Sequence, residues 1–263
     1  MIKKKLIALL LAGVMVVSIY SLSGAAPKRG LLMEEEVIQE LQKDVNGDQV
    51  KDRILLIGEK EKKDAIFNMC FMIKVIDGKT NKETTIKLED FAGYGGEIFL
   101  ADFTGDQVAD IMVTTNSGGS GGIIFSRIIT LEDHEIKIIF NEKDNQGLNF
   151  EGKFVNGFKA ELQEANFKKV ITIDLSAFKE LYIESKIYDS NGKILEKVEP
   201  WTDPFSVLEP IDIDGDGVYE LKGFQAISGA FHANRISDLI SLWKYENGKW
   251  KIKEAKYSTT LDL

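Results

Sequence analysis

The sequence predicts an all-β fold, a propeller-like array of about four antiparallel β units, and three observations support it. Short runs rich in Ile, Val, Phe and Tyr recur from residue 44 onward, and turn dipeptides such as Asn-Gly separate them. Three acidic loops begin at Asp44, Asp102 and Asp212, with spacings of 58 and 110 residues. The second spacing is close to twice 55, which predicts a further unit near residue 157. A two-sheet β sandwich is the alternative.

The N-terminal segment, residues 1–25, predicts a cleaved export signal. Lys3 to Lys5 form a basic region, Leu6 to Val17 form an apolar region, and small residues precede a cleavage site before Ala26. The apolar stretch of about 15 residues is shorter than the roughly 20 that span a membrane. An uncleaved anchor is the alternative. Cleavage predicts a secreted or cell-envelope protein that does not insert into the membrane afterwards.

Charge and cysteine content exclude several classes of function. Removal of the signal leaves 30 basic and 42 acidic residues, a net charge of −12. A chain this acidic repels nucleic acid and anionic membrane surfaces, and it suits a protein that meets divalent cations. Cys70 is the sole cysteine, so no internal disulfide can form. We interpret it as a buried apolar side chain in a strand.

Beyond the signal, residues 26–43 are predicted to form a lead-in with a short helix or strand, and residues 44–263 to form the β repeat domain. The predicted strands contain RILLIG, FMIKVID, EIFLAD, DIMVTT, IIFSRIITL, IKIIF, KKVITIDL, LYIESKIYD, SLWKYE and WKIKEAKY. The segment EPWTDPFSVLEP, residues 199–210, holds three of the four prolines and predicts one irregular connection. The Asn247-Gly248 dipeptide predicts a two-residue hairpin turn near the C-terminus.

The acidic loops carry oxygen-bearing side chains at alternate positions, a pattern that indicates calcium. Calcium takes about six to eight oxygen ligands from carboxylates, amides and backbone carbonyls. A chain that doubles back around one ion presents positions 1, 3, 5 and 9 inward, and the carbonyl of position 7 fills a gap. The predicted ligands are Asp44, Asn46, Asp48, the Val50 carbonyl and Asp52; Asp102, Thr104, Asp106, the Val108 carbonyl and Asp110; and Asp212, Asp214, Asp216, the Val218 carbonyl and Glu220.

These loops are not EF-hands, which need a bidentate Glu at position 12 and flanking helices. Position 12 is Leu55, Val113 or Gly223 in the three loops, and strand-like sequence follows each of them. Three or four carboxylates this close repel one another in the absence of a cation. The sequence therefore predicts up to three Ca²⁺ sites.

A loop of this kind followed by a β-strand resembles the calcium-binding hairpins of the FG-GAP/VCBS repeat family of β-propellers. The three loops and the strands RILLIG, DIMVTT and ELKGFQ carry the resemblance, which extends over residues 44 to about 257. It implies a secreted or surface propeller in which calcium is structural. Thr104 stands where that family has an acid or amide, and the third unit lacks the loop.

The remaining motifs indicate no enzyme class. The glycine-rich segment 116–125 lacks the Lys-Ser/Thr of a P-loop and is interpreted as an inter-strand loop that contacts a ligand. Trp201 is interpreted as a packing residue, with stacking on a sugar as the alternative. The sequence therefore predicts a noncatalytic binding or scaffold module at the cell envelope, with a surface protein or glycan as ligand. A calcium-dependent hydrolase or lyase on the same scaffold is the alternative.

Overall fold

The computed structural model describes residues 33–131, 135–164 and 170–258, so the predicted signal and its cleavage site lie outside the described residues. Strand accounts for 56% of the structure and helix for 6%, which confirms the prediction of an all-β protein. Within the described ranges, no helix has the length and apolar character needed to cross a membrane.

The strands form three antiparallel sheets. Strands are numbered along the chain, and those of each sheet are given in the order in which they neighbour one another. The first sheet contains β1 (Glu34–Lys43), β2 (Asp52–Lys60), β4 (Cys70–Ile76) and β5 (Glu83–Leu88). The second contains β3 (Phe67–Asn68), β6 (Gly93–Ala101), β7 (Asp110–Asn116), β8 (Ile124–Thr130) and β9 (Lys137–Phe140). The third contains β12 (Ile171–Asp174), β11 (Lys159–Glu164), β10 (Phe150–Val155), β13 (Trp201–Ile211), β14 (Glu220–Ser228), β15 (Arg235–Glu246) and β16 (Lys249–Ser258). The helix α1 (Lys179–Glu184) precedes β13, and the predicted lead-in supplies β1.

The arrangement in four units of about 55 residues is not confirmed, because the described strands form sheets of four, five and seven strands. A hairpin does exist near residue 157, where β10 pairs with β11. It belongs to the same sheet as the strands that flank the third acidic loop. The two parts of that sheet are joined where Glu151 of β10 pairs with Trp201 of β13.

The second sheet packs on another sheet through each of its two faces. One face packs on the first sheet through a cluster that includes Ile54 and Ile111. The other face packs on the third sheet through a cluster that includes Phe103, Met112 and Phe205. Because both faces are covered, β7 and β8 are nearly continuous runs of buried residues and lack a polar side that alternates with an apolar one.

The predicted hairpin at Asn247-Gly248 is confirmed. Glu246 at the end of β15 pairs with Lys249 at the start of β16. Asn247 and Gly248 have φ values of 54° and 75°, and a type I′ turn requires positive φ at both of its central residues.

The prediction of a strand at LYIESKIYD is wrong, because the last four residues of α1 begin this segment and no described strand lies in it. Tyr182 of α1 is fully buried and makes ring contacts with Phe154, Phe178 and Tyr188. Phe178 and Tyr182 are four residues apart, the spacing that places two side chains on one face of a helix. Packing against β10 therefore outweighs the β propensity of the aromatic and branched residues.

The prediction of an irregular connection at residues 199–210 is also wrong, because most of this segment is β13. The pairing of β13 with β14 shifts between Thr202 and Phe205 and again between Phe205 and Val207. The first shift leaves Pro204 outside the hydrogen-bonded ladder, so its missing N–H interrupts no bond. Pro204 thus marks a bulge within a strand, whereas Pro210 pairs with Leu221 in the ladder.

Phe103 tests the contact between the second and third sheets. Its side chain is 0% exposed and packs edge-to-face on Tyr219 and Trp250, with ring centroids 6.3 and 6.0 Å away. We expect Phe103→Ala to lower the free energy of unfolding by about 3–5 kcal/mol in urea titrations, because it leaves a cavity. Phe125→Ala is the control, since Phe125 is 37% exposed, and should cost no more than about 1 kcal/mol. Equal losses would contradict the packing described.

Candidate metal centre

All three acidic loops close a hairpin between neighbouring strands in the same register. The residue before position 1 pairs with the residue at position 9, as Lys43 with Asp52, Ala101 with Asp110, and Ile211 with Glu220. The three loops therefore have equal length, and the repeat in the sequence is also a repeat in backbone geometry.

The aspartate at position 1 sets the bend of each loop by accepting hydrogen bonds from the backbone N–H groups of positions 4 and 6. These bonds are Gly47 and Gln49 to Asp44 at 2.8 and 2.7 Å, Gly105 and Gln107 to Asp102 at 2.6 and 2.7 Å, and Gly215 and Gly217 to Asp212 at 2.7 and 3.1 Å. The glycine at position 4 has φ of 83°, 83° and 75° in the three loops, a left-handed conformation that favours glycine.

The acid at position 9 is buried and holds the base of each loop. Asp52, Asp110 and Glu220 are at most 2% exposed. They accept the backbone N–H of position 2, which belongs to Val45 at 3.0 Å, Phe103 at 2.9 Å and Ile213 at 3.3 Å. Burial raises the pKa of Asp110 to about 7, and it also raises the pKa of Asp52, because an apolar environment disfavours the charged form.

The loops contact one another in chain order. The carbonyl of Asp44 accepts the backbone N–H of Ala109 at 3.3 Å, and the carbonyl of Asp102 accepts that of Tyr219 at 2.7 Å. In both cases position 1 of one loop contacts position 8 of the next. A cavity of about 530 Å³ lies between the second and third loops, with Asp102, Gln107 and Asp216 in its lining.

The third loop brings three carboxylates together. Oxygens of Asp212, Asp214 and Asp216 lie within 4.8 Å of one another, close enough to bind one metal ion. In the part of the chain that the structure describes, the acids of the first two loops form no such group. The structure therefore distinguishes the third loop from the other two.

In the first two loops the residue at position 3 takes part in hydrogen bonds within the loop. The side-chain oxygen of Asn46 accepts the N–H of Asp48 at 3.0 Å, and the hydroxyl of Thr104 donates to Asp102 at 3.4 Å. Both carboxylate oxygens of Asp52 also accept hydrogen bonds, from Val45 and Gly78 among others. These contacts hold the loops in shape, and the role of all fifteen predicted residues as calcium ligands stays a prediction.

Lys244 was missed by the sequence analysis and lies over the third loop. Its ammonium nitrogen is 2.6 Å from Glu220 Oε1 and 3.7 Å from the nearest oxygens of Asp214 and Asp216. The hydrogen bond to Glu220 raises the pKa of Lys244, and the three acids together favour its charged form. No local signal identifies this residue, because only the pairing of β14 with β15 brings it beside Glu220. The carboxylates of the third loop thus already face one cation.

Comparison with known proteins gives a family and a distant structural likeness. Residues 148–258 match the family described as the YybI C-terminal domain. The chain is 33% identical over 208 residues to "Uncharacterized protein YybI" of Bacillus subtilis (strain 168), covering 78% of both chains. A crystal structure of the exotype rhamnogalacturonan lyase YesX aligns with 86% of this chain at 15% identity and a TM-score of 0.36. This chain covers 33% of that protein, and a likeness so distant carries no argument.

The resemblance to the FG-GAP/VCBS repeat family is wrong. The family that matches is that of the YybI C-terminal domain, and the curated relative is YybI itself. The resemblance depended on three short loops. A tight bend between two strands with acids at alternate positions is a local solution to hairpin closure, and different families can reach it independently.

Asp110 tests the buried acid at position 9. Its folded-state pKa of about 7 exceeds the unfolded value of about 3.9, so its contribution to stability is fully present below about pH 4 and is lost as the pH rises towards 7. Asn is an uncharged substitute for the protonated acid. In chelator, we expect the melting temperature of Asp110→Asn to rise relative to that of the parent between pH 4 and pH 7.

Asp174→Asn is the control with the opposite sign. Hydrogen bonds from Ser176 hold the pKa of Asp174 below its usual range, so this contribution is present above about pH 4 and is lost as the pH falls. The melting temperature of Asp174→Asn should therefore fall relative to that of the parent as the pH rises towards about 4. A difference between Asp110→Asn and the parent that stays constant from pH 4 to pH 7 would contradict the burial argument.

Proposed function

This chain belongs to the YybI family, and on that premise we propose that it is an exported calcium-binding β-protein that serves as a noncatalytic binding or scaffold module at the cell envelope. The observation that carries the proposal is the group of Asp212, Asp214 and Asp216 in the third loop. The basic, apolar and small-residue order of residues 1–25 supports export.

Calcium fits the third loop because of both its donors and its charge. Carboxylate oxygens are the ligands that a hard cation prefers, and hydrogen bonds from backbone N–H groups already fix the loop. A preformed loop loses little conformational entropy when it binds an ion. The ammonium group of Lys244 lies beside the carboxylates of the third loop and supplies one positive charge. A calcium ion would displace this group and supply two positive charges.

We extend the proposal to the architecture: the three sheets are blade-like units of a propeller-like array. Two features support this. The sheets pack face to face in chain order, and their acidic loops contact one another in the same order. Such an array presents long inter-strand loops at its rims, where binding modules carry their ligand contacts.

Lys244 gives the sharpest test of the calcium proposal. We expect Lys244→Gln to tighten calcium binding at the third loop by about fivefold in calorimetric titrations, since it removes a competing ion pair worth about 1 kcal/mol. Asp214→Ala should weaken binding by about tenfold or more, because the site loses one charged ligand. Both variants are titrated beside the parent chain.

Lys222→Gln is the matched control, because Lys222 lies on β14 and its side chain covers the ring of Phe224, with no ion pair to the third loop in the described structure. This variant should bind calcium as the parent does. Unchanged affinity in both Lys244→Gln and Asp214→Ala would overturn the assignment of calcium to this loop. Equal tightening in Lys244→Gln and Lys222→Gln would show a general effect of net charge.

A further inference from the structure

The third sheet is split between β10 and β13. In the described structure, Glu151 with Trp201 is the one ladder pair between these strands, and the Thr202 hydroxyl also accepts the N–H of Phe150 at 3.0 Å. Each neighbouring strand pair has several ladder pairs. A groove of about 710 Å³ opens at the split, lined by Asn149, Glu151, Gln163, Glu199 and Trp201 among others. The groove is thus built into the sheet, and it carries amide and carboxylate groups beside an indole ring.

A buried carboxylate holds the indole of Trp201, one of the residues that line this groove. Asp203 lies in the first bulge of β13 and is 4% exposed. It accepts hydrogen bonds from the indole N–H of Trp201 at 3.0 Å and the hydroxyl of Ser228 at 2.5 Å, and its Oδ1 lies 3.1 Å from Nδ1 of His232. A buried carboxylate needs such partners, and these contacts place the indole and the imidazole side by side.

His232 is held with one ring nitrogen free to meet a ligand. Nδ1 faces the Asp203 carboxylate, so Nε2 lies on the other side of a ring whose side chain is 56% exposed. The ring stands edge-to-face on Trp201 with centroids 5.2 Å apart. Buried Asn234 fixes the loop, since its side-chain oxygen accepts the N–H of Ala230 at 3.0 Å and the hydroxyl of Tyr182 at 2.6 Å.

We propose that this groove binds a saccharide that is neutral or carries amino groups. A partly exposed indole offers an apolar face to a sugar ring, and the amide, carboxylate and imidazole groups exchange hydrogen bonds with hydroxyls. Glu151 and Glu199 lie in the groove of a chain that is strongly acidic as a whole, so an anionic saccharide is disfavoured. Trp201 and His232 contact the ligand, and Asp203 is a positioning residue. This rests on the proposed binding function but not on calcium.

The indole N–H signals of a ¹⁵N-labelled chain test the groove directly. The indole N–H groups of Trp243 and Trp250 donate to Ser241 and to the carbonyl of Ile139, away from the groove, and the Trp201→Phe spectrum assigns the third signal. We expect the Trp201 signal to shift with the tetrasaccharides of glucosamine and of N-acetylglucosamine at about 10 mM, while the other two stay in place. Tetragalacturonate is the anionic probe and should cause no shift. The titrations are run in calcium and in chelator.

Variants separate ligand contact from folding. His232→Ala should weaken binding of the tetrasaccharide with the larger shift by about fivefold or more, and His232→Gln should restore part of it by returning a hydrogen-bonding group. Asp203→Asn should weaken binding while His232→Gln in the same background adds no further loss, as expected of a residue that acts through His232. Tyr257→Ala, a change at an exposed aromatic residue on β16, is the control and should bind as the parent does.

No shift of the Trp201 signal with either amino-sugar probe would overturn the groove proposal. A shift with tetragalacturonate alone would overturn the charge argument on which the ligand class depends. If the Trp201 signal shifts equally in calcium and in chelator while calorimetry detects no calcium binding, the groove proposal stands and the calcium proposal fails. If calorimetry detects calcium binding while the Trp201 signal shifts with neither amino-sugar probe, the groove proposal fails and the calcium proposal stands.

Discussion

The buried carboxylate at the ninth position of each acidic loop is the interaction on which the rest of the structure depends. Asp52, Asp110 and Glu220 each accept the N–H of the second loop residue, so the start of the loop is tied to the first residue of the following strand. With the base fixed in this way, the aspartate at position 1 can fold the remaining residues around itself. An unpaired carboxylate at such depth would cost several kcal/mol. The hydrogen bonds of these acids therefore stabilise this loop conformation over any conformation that leaves the acid buried without a partner.

The same loops align the sheets. The carbonyl at position 1 of one loop accepts the N–H at position 8 of the next, so each of the first two loops is tied to the start of a strand in the following sheet. The second sheet lies between the other two, and its strands β7 and β8 are buried on both faces. The acids of the three loops lie at hairpin turns, and apolar strands pack behind them. A cation at these turns would stabilise the same contacts that order the sheets.

The sequence predicts the features that depend on neighbouring residues and misses those that depend on pairing or packing. Most of the predicted strands, the Asn247-Gly248 turn and the equal acidic loops depend on local sequence, and the structure has them. The helix α1 forms because Tyr182 packs in an aromatic cluster, and Lys244 reaches the third loop only through strand pairing. The number of sheets depends on which strands pair across the chain, a feature that no local spacing encodes. The family was misjudged for a similar reason, since a short loop carries little information about descent.

Thermal melting of the parent chain in calcium and in chelator tests the central claim most directly. Calcium bound only by the folded chain adds about 2.7 kcal/mol per site to the free energy of unfolding at one hundred times its Kd. The account predicts a melting temperature that rises in millimolar calcium and falls in chelator, with magnesium at the same concentration having a smaller effect. A melting temperature that is the same in calcium and in chelator would contradict it.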